Sequence, residues 1–231
     1  MSFHFKQFSV SHNRCAMKVG TDGVLLGAWI EAKDSESILD IGTGCGLIAL
    51  MLAQKSNAKI IGIDIDESSA IQAKENVEDS KWHKRIEIIN SSIQEFVKST
   101  EEKFSLIVSN PPFFNESLKS PNPNKSLAKH SDELPYSDLA NSVSRLLSDD
   151  GRFCIILPYI EFQNFKNCAL IEGLYISKIT NVRAKENEKF KRVLAEFTKV
   201  KSPVLESELV IRDVVNEFTL EYLEMTKDYY L

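Results

Sequence analysis

Ile38-Leu-Asp-Ile-Gly-Thr-Gly-Cys-Gly46 is the stretch on which the fold turns. A short apolar run ends in an acid, glycine follows at every second position (Gly42, Gly44, Gly46), and Leu47 to Ala53 is apolar throughout. That order predicts a buried strand, a tight turn and a buried helix. Residues without a Cβ let a loop fold sharply and let a ligand lie against bare backbone. Leu47 to Ala53 has no polar face, so its helix must be covered on all sides. The turn then reads as a ligand loop at the carboxyl edge of a sheet.

Spacing narrows the ligand. A dinucleotide fingerprint needs a third glycine after Gly46, at the position held by Leu47, so a pyrophosphate fits poorly. Twenty residues beyond Gly44, Asp64 ends the apolar run Ile60 to Ile63. A carboxylate at that strand tip can accept hydrogen bonds from both hydroxyls of a ribose. A ligand with a ribose and no phosphate fits better, and S-adenosylmethionine is the common one. A glycine-rich turn with a strand-end acid also occurs in α/β domains that hold no nucleoside.

Composition bounds the rest. With 231 residues and 43% apolar content, one large α/β core is the natural reading of residues 1–231. Residues 1–34 would form an amino-terminal lid or pocket wall, 35–160 the cofactor-binding core, and 161–231 the carboxyl-terminal strands and helix. The four cysteines, Cys15, Cys45, Cys154 and Cys168, are widely spaced and read as reduced cytosolic thiols. Four scattered histidines predict no metal site. No apolar run approaches spanning length and Met1-Ser-Phe-His-Phe-Lys6 lacks a signal-peptide core, so a cytoplasmic protein with no membrane partner is expected, a monomer by preference. A net charge of −5 does not by itself point to nucleic acid, which would have to meet a local basic face.

Along the chain, Phe3, Phe5 and Phe8 precede Lys18-Val-Gly-Thr-Asp22 and the apolar run Val24 to Ile30. Either these aromatics simply complete the core, or Lys18 to Asp22 forms the far wall of the ligand pocket; periodicity leaves both open. From Ile38 strand and helix alternate, which implies parallel strands with right-handed crossovers. Strands are expected at Ile38–Ile41, Lys59–Asp64, Ile86–Asn90, Phe104–Ser109 and, after a turn at Asp149-Asp150-Gly151, Phe153–Leu157. Asp66 should cap a polar helix from Glu67 to Val77. Leu139, Val143, Leu146 and Leu147 share one helical face. A helix near Glu161–Ile171, strands near Leu174–Val182, Val193–Val200 and Leu209–Arg212, and a terminal amphipathic helix marked by Phe218, Tyr222 and Tyr229 complete the list. Asn115 to Pro135, rich in Ser, Pro, Asn and Lys, reads as a long functional or disordered loop.

Asn110-Pro111-Pro112-Phe113 is the second chemical signal. Two prolines hold the backbone extended and leave carbonyls without a ladder partner. The Asn110 side-chain oxygen and the Pro111 carbonyl can then each accept one N–H of a single exocyclic amino group. Gripping both hydrogens favours a pyramidal nitrogen whose lone pair points at an electrophilic methyl. Phe113 supplies a face for a planar base, worth ~1–3 kcal/mol. No strong general base is required, because the proton becomes acidic only once transfer has begun; the contribution is placement and polarity. A Pro-Pro turn with a buried Phe113 is the plain alternative.

Leu39-Asp-Ile-Gly-Thr-Gly-Cys-Gly46, Asp64 and Asn110-Pro-Pro-Phe113 together resemble the class I S-adenosylmethionine-dependent methyltransferases, specifically those that methylate amino groups. The segment Phe5 to Trp29, with Leu209-Val-Ile-Arg212, Glu221-Tyr222 and Tyr229-Tyr-Leu231, is similar to the bacterial valine-tRNA adenine-37 N6-methyltransferases over essentially the whole chain. The resemblance implies a Rossmann-like three-layer α/β sandwich around a seven-stranded, mostly parallel sheet with one antiparallel strand. It implies Asp40, Gly42 and Gly44 at the methionine end of S-adenosylmethionine, Asp64 on its ribose, and Lys18, Gly20, Thr21, Ile65, Ser92, Ile93 and Asn110 elsewhere around it. Catalysis would rest on Asn110, Pro111, Pro112 and Phe113. Ser92 stands where the family usually has an acid for the adenine amino group, which implies a weaker hold there, helped by Ser91. Phe113-Phe114 replaces a frequent Tyr-Tyr pair, keeping stacking and losing a hydroxyl.

The implied partner is tRNA, at adenosine 37 beside the valine anticodon, an RNA-loop target of the kind proteins read most readily. Candidate RNA contacts are Arg14, Lys119, Lys125 and Lys129, with Arg183, Lys185, Lys189, Lys191 and Arg192 near the late strands. A release-factor type protein-glutamine methyltransferase uses the same amide grip but normally carries a separate amino-terminal helical domain. A guanine-N2 methyltransferase of ribosomal RNA also fits, and a non-enzymatic RNA-binding protein on this fold is disfavoured by intact Asn110 and Asp64.

Overall fold

Successive apolar runs that alternate with helical patterns become neighbouring strands of one sheet in the computed structural model, which describes residues 2–112 and 134–230. A small antiparallel pair comes first, β1 (Ser2–His4) and β2 (Ser9–Ser11), followed by α1 (Thr21–Trp29). Then β3 (Ser37–Ile41), α2 (Leu47–Lys55), β4 (Lys59–Asp64), α3 (Glu67–Glu78), β5 (Ile86–Asn90), α4 (Ile93–Ser99) and β6 (Phe104–Ser109) alternate. After the undescribed stretch come α5 (Tyr136–Leu146), β7 (Leu147–Pro158), α6 (Tyr159–Ile171), β8 (Tyr175–Lys185), β9 (Arg192–Thr198), β10 (Leu205–Arg212) and α7 (Leu220–Thr226).

The sheet runs β10-β8-β9-β7-β6-β3-β4-β5. β9 is antiparallel to both its neighbours, and every other pairing is parallel. The expected mostly parallel sheet with one antiparallel strand is therefore present, with eight strands rather than seven because β10, which starts at Leu205 and not Leu209, joins its edge by pairing along β8. The fifth core strand also begins earlier than expected. β7 includes Asp149-Asp150-Gly151, and the extra residues are absorbed by a register shift against β6 between Phe104 and Leu106.

Both faces of the sheet are covered, which is why its strands lack a clean polar alternation. Ile38, Ile60, Leu106 and Leu194 face one core, with α1, α2, α3 and Tyr222 of α7. Leu39, Ile63, Ile107 and Phe197 face the other, with α4, α5 and α6. Leu47 to Ala53 is buried throughout, as the missing polar face requires. Gly27 lets α1 approach α2 closely, since a Cβ there would sit 2.6 Å from Met51 Sδ.

The amino-terminal aromatics do complete the core. Phe5 and Phe8 stack at 4.7 Å, Phe8 meets Trp82 edge-on at 5.8 Å, and Lys6 N–H donates to the Tyr229 carbonyl. Tyr229 lies beyond the short α7 yet is buried, its hydroxyl 3.2 Å from the Met51 carbonyl.

A candidate active site at the carboxyl edge of the sheet

β3, β4 and β6 lie side by side, so the loops leaving them must share one edge. The buried Ser109 hydroxyl donates to the Ile41 carbonyl at 2.9 Å and locks the ends of β3 and β6 together. A cavity of about 270 Å³ opens there, lined by Gly42, Gly44, Asp64, Ile65, Ser92, Ile93, Asn110 and Pro112 among others. The glycine loop and the Asn-Pro-Pro turn thus meet in a single cleft.

Gly42, Gly44 and Gly46 all adopt positive φ (+70°, +56° and +80°), the left-handed region that penalises a side chain. A Cβ on Gly42 or Gly44 would meet nothing within 4 Å, so the bare backbone there faces open space. The loop is fastened to its surroundings. Gly42 and Thr43 N–H groups both donate to the Ile63 carbonyl, and the Gly44 N–H donates to Asp64 Oδ2 at 2.7 Å. Asn76, on α3, donates to the carbonyls of Cys45 and Ser11 and accepts from the Ser11 N–H, tying the loop to the amino-terminal hairpin.

Asp64 lines the cavity with Oδ1 accepting from the Asp66 N–H at 2.9 Å and Oδ2 from Gly44. Burial raises its pKa, against the pull of those two bonds. Each carboxylate oxygen keeps lone-pair capacity for a further donor, so two hydroxyls can still be received. Asp40 takes a different position. It is fully buried and outside the cavity lining, with Oδ2 accepting from the Thr43 hydroxyl at 2.7 Å and Oδ1 without a partner among the described residues. Burial pushes its pKa up to about 7. Asp40 therefore supports the loop from beneath.

Asn110 carries the most telling atom. Its side-chain oxygen Oδ1 is buried and has no hydrogen-bond partner among the described residues, while the residue lines the cleft. An unpartnered buried amide oxygen carries a desolvation cost of about 1–3 kcal/mol that an arriving donor would relieve. Pro111 is buried behind it and Pro112 faces the cleft. Phe113, and with it Lys119, Lys125 and Lys129, lies outside the described residues.

Ser92 is more committed than its position alone suggests. Its hydroxyl oxygen accepts from the Glu95 N–H and its proton points to Glu95 Oε2, a capping box at the start of α4. The signal was in the sequence as Ser92-Ile-Gln-Glu95. The Ser91 hydroxyl donates to the Ser92 carbonyl. Ile65 and Ile93 supply apolar surface to the cleft.

Lys18, Gly20 and Thr21 are not part of the lining. Lys18 Nζ instead donates to the carbonyls of His12, Asn13 and Cys15 at 2.8, 3.3 and 3.0 Å, one for each ammonium proton. This knot presents Ala16 and Met17 to the cavity, a wall that hydrophobic periodicity did not mark. Gly20 is the residue before α1, and Thr21 is its exposed first residue. Ser69, Gln94 and Leu134 also line the cleft without an earlier signal. Cys15 and Cys45 are both buried, and their thiols influence one another. The neighbouring Cys45 thiol holds Cys15 below the ordinary thiol range, while Cys15 and burial raise Cys45.

Two expected RNA contacts already hold partners. Arg14 pairs with Glu75 at 2.6 Å and Arg192 with Asp22 at 2.8 Å. Lys189 is exposed and, among the described residues, its ammonium has no partner. No group of three or more metal-binding side chains occurs among those residues, and no helix there is long and apolar enough to cross a membrane.

Residues 32–208 match the family model described as a methyltransferase domain. The chain is 44% identical over 230 residues to the tRNA1(Val) (adenine(37)-N6)-methyltransferase of Bacteroides fragilis (strain YCH46), spanning 99% of this chain and 97% of that protein. It is 39% identical to the protein of that name from Photorhabdus laumondii subsp. laumondii, spanning 99% and 95%. Among solved structures, a predicted O-methyltransferase from Agrobacterium tumefaciens superposes with a TM-score of 0.69 at 16% identity, over 90% of this chain and 96% of that one, a likeness of fold.

Proposed function

The chain belongs to the tRNA1(Val) (adenine(37)-N6)-methyltransferase family, and we propose that it methylates the exocyclic amino group of adenosine 37 in valine tRNA. The observation that carries this reading is the Asn110 side-chain oxygen, an unmet acceptor in the same cleft as Gly42, Gly44 and Asp64.

The cleft suits S-adenosylmethionine. Its open glycine backbone leaves room for a ligand, Asp64 can receive ribose hydroxyls, and Ile65 and Ile93 offer apolar surface to a purine. When bound, that cofactor supplies an electrophilic methyl group. The protein's part is placement. Asn110 Oδ1 accepts one amino N–H of the adenine and the Pro111 carbonyl the other, which turns the nitrogen lone pair toward the methyl group. Pro111 and Pro112 keep that grip stiff, and Phe113 stacks the base. Asp40 and Thr43 hold the loop, while Ser92 caps α4 and would offer its hydroxyl oxygen to the cofactor's adenine amino group. Lys18 acts through the wall it organises, with Gly20 and Thr21 behind it. The protein works on its RNA in the cytoplasm as a monomer.

Tritiated-methyl transfer onto total tRNA lacking the modification, compared with ribosomal RNA and protein, tests the proposal. The expected label is N6-methyladenosine in valine tRNA; N2-methylguanosine or methylated glutamine would overturn it. Binding should also weaken steeply with salt, because phosphate contacts release counterions.

A further inference from the structure

One strand beyond Asn110, on the side away from the glycine loop, the sheet edge carries an aromatic surface. β7 is parallel to β6, with Ser109 paired to Ile155, and it ends at Pro158. Tyr159 follows as the first residue of α6, three residues past Ile156, the position level with Asn110 when that register is carried one residue on. Its N–H donates to the Lys191 carbonyl at 3.1 Å, which fixes it to the β8–β9 hairpin.

Phe190 in that hairpin stacks with Tyr159, the rings 5.9 Å apart and inclined by 24°. The Arg183 guanidinium lies 4.2 Å from the Phe190 centroid and is held by an ion pair with Glu208. Phe190 is thus occupied by two neighbours, whereas Tyr159 is 40% exposed and is followed by Ile160 at 78%. Arg183 to Arg192 holds five cations and two carboxylates in a chain of net charge −5. Glu188 is paired with Lys191 and Arg192 with Asp22, which leaves Lys185 and Lys189 exposed and without side-chain partners among the described residues. An open ring backed by a rigid stack, beside two unpaired ammonium groups, is the combination by which proteins hold single-stranded nucleic acid.

We infer that Tyr159 stacks a nucleotide flanking the target adenosine, with Lys185 and Lys189 on the adjoining phosphates. The inference rests on the RNA reading above and adds a positioning surface to it. Because the ring touches RNA outside the reacting atoms, its loss acts on substrate capture more than on transfer.

The test uses the full-length enzyme, S-adenosylmethionine and a valine tRNA transcript. Tyr159→Ala should raise KM for the transcript about tenfold, the effect of a single stacked base, with kcat within about threefold and cofactor affinity unchanged by calorimetry. Tyr159→Phe and Tyr159→Trp, which both keep a ring, should hold KM near the wild-type value, and a rise in both to the level of Tyr159→Ala would overturn the stacking role. Transcripts abasic at one position flanking the target should cost the wild type the same factor and Tyr159→Ala nothing further. Equal KM for wild type and Tyr159→Ala, or additive losses with both abasic transcripts, would overturn the stacking role while leaving the methylation reading intact. A wild type that transfers no methyl to tRNA would sink both.

Discussion

Two hollows in this molecule make opposite use of similar groups. The larger, about 850 Å³, lies under the amino-terminal edge of the sheet and is lined by Trp29, Lys33, Asp34, Lys55, Asp150 and Arg152 among others. Its buried polar groups are engaged from within: Lys55 donates to the Ala28 and Ile30 carbonyls, Arg152 to Glu196 and the Glu31 carbonyl, and Trp29 to the Thr180 hydroxyl, while Lys33, Asp34 and Asp150 face solvent at its rim. The smaller, about 270 Å³, holds Asn110 Oδ1 with no partner and stands over Asp40 Oδ1, also without one. Among the described residues no buried, unpartnered side-chain atom belongs to the larger hollow. Volume therefore does not mark the working site. Hydrogen-bonding capacity held in reserve at a cleft does, because an unmet acceptor that a ligand can reach gains when the ligand arrives, whereas the buried Gln54 Oε1 lines neither hollow.

The largest effect that contrast demands is at Asn110. Asn110→Ala should lower kcat by about 10²–10³-fold, the scale seen when a preorganised polar group aimed at the reacting atoms is removed, with cofactor affinity within about twofold. Lys33→Ala, in the roomier hollow, should leave both kcat and KM unchanged. A reversed pattern in steady-state kinetics would dissolve the comparison.

Next comes Asp64→Ala, which removes a charged acceptor from the cofactor side of the cleft. Calorimetry should record affinity for S-adenosylmethionine lower by roughly 10- to 150-fold; an unchanged value would remove the ribose assignment. The circular-dichroism spectrum should remain that of the wild type.

The last expected effect is on stability alone and concerns the buried acid beneath the loop. Burial holds the folded-state pKa of Asp40 up at about 7, above the ordinary carboxylate value. Its contribution to stability is thus fully present below that ordinary value and is lost as pH rises through about 7. Between about pH 5 and pH 8 the wild type should lose on the order of 2–3 kcal/mol through this group alone. Asp40→Asn cannot ionise, so the difference between variant and wild type in chemical denaturation should shift by that amount in the variant's favour. A pH-independent difference would place the titration elsewhere.

Much of the cleft was readable before any coordinates. Gly42, Gly44, Asp64 and Asn110 announce themselves because a left-handed turn, a strand-end carboxylate and a Pro-Pro turn each have few residue types that can build them. Ser92, expected at the adenine, does line the cleft, and the Glu three residues later also signals the helix cap that its hydroxyl makes. Lys18 lies off the cleft lining, since the carbonyls that claim its ammonium come from a loop with no periodic pattern. The eighth strand was half hidden because Leu205 to Glu208 are exposed and carry little apolar patterning.

Local chemistry alone determined the alternation of strand and helix, the glycine turn and the amide at the tip of the fourth core strand, because each is specified by neighbours within a few residues. Only the tertiary structure decided that β9 threads antiparallel between β7 and β8, that Asp40 lies under the loop while Asp64 faces the cleft, and that Arg192 is held by Asp22, 170 residues away in the chain. Burial and partnership are properties of packing, and a side chain's charge state and free hydrogen bonds exist only once its surroundings have closed around it.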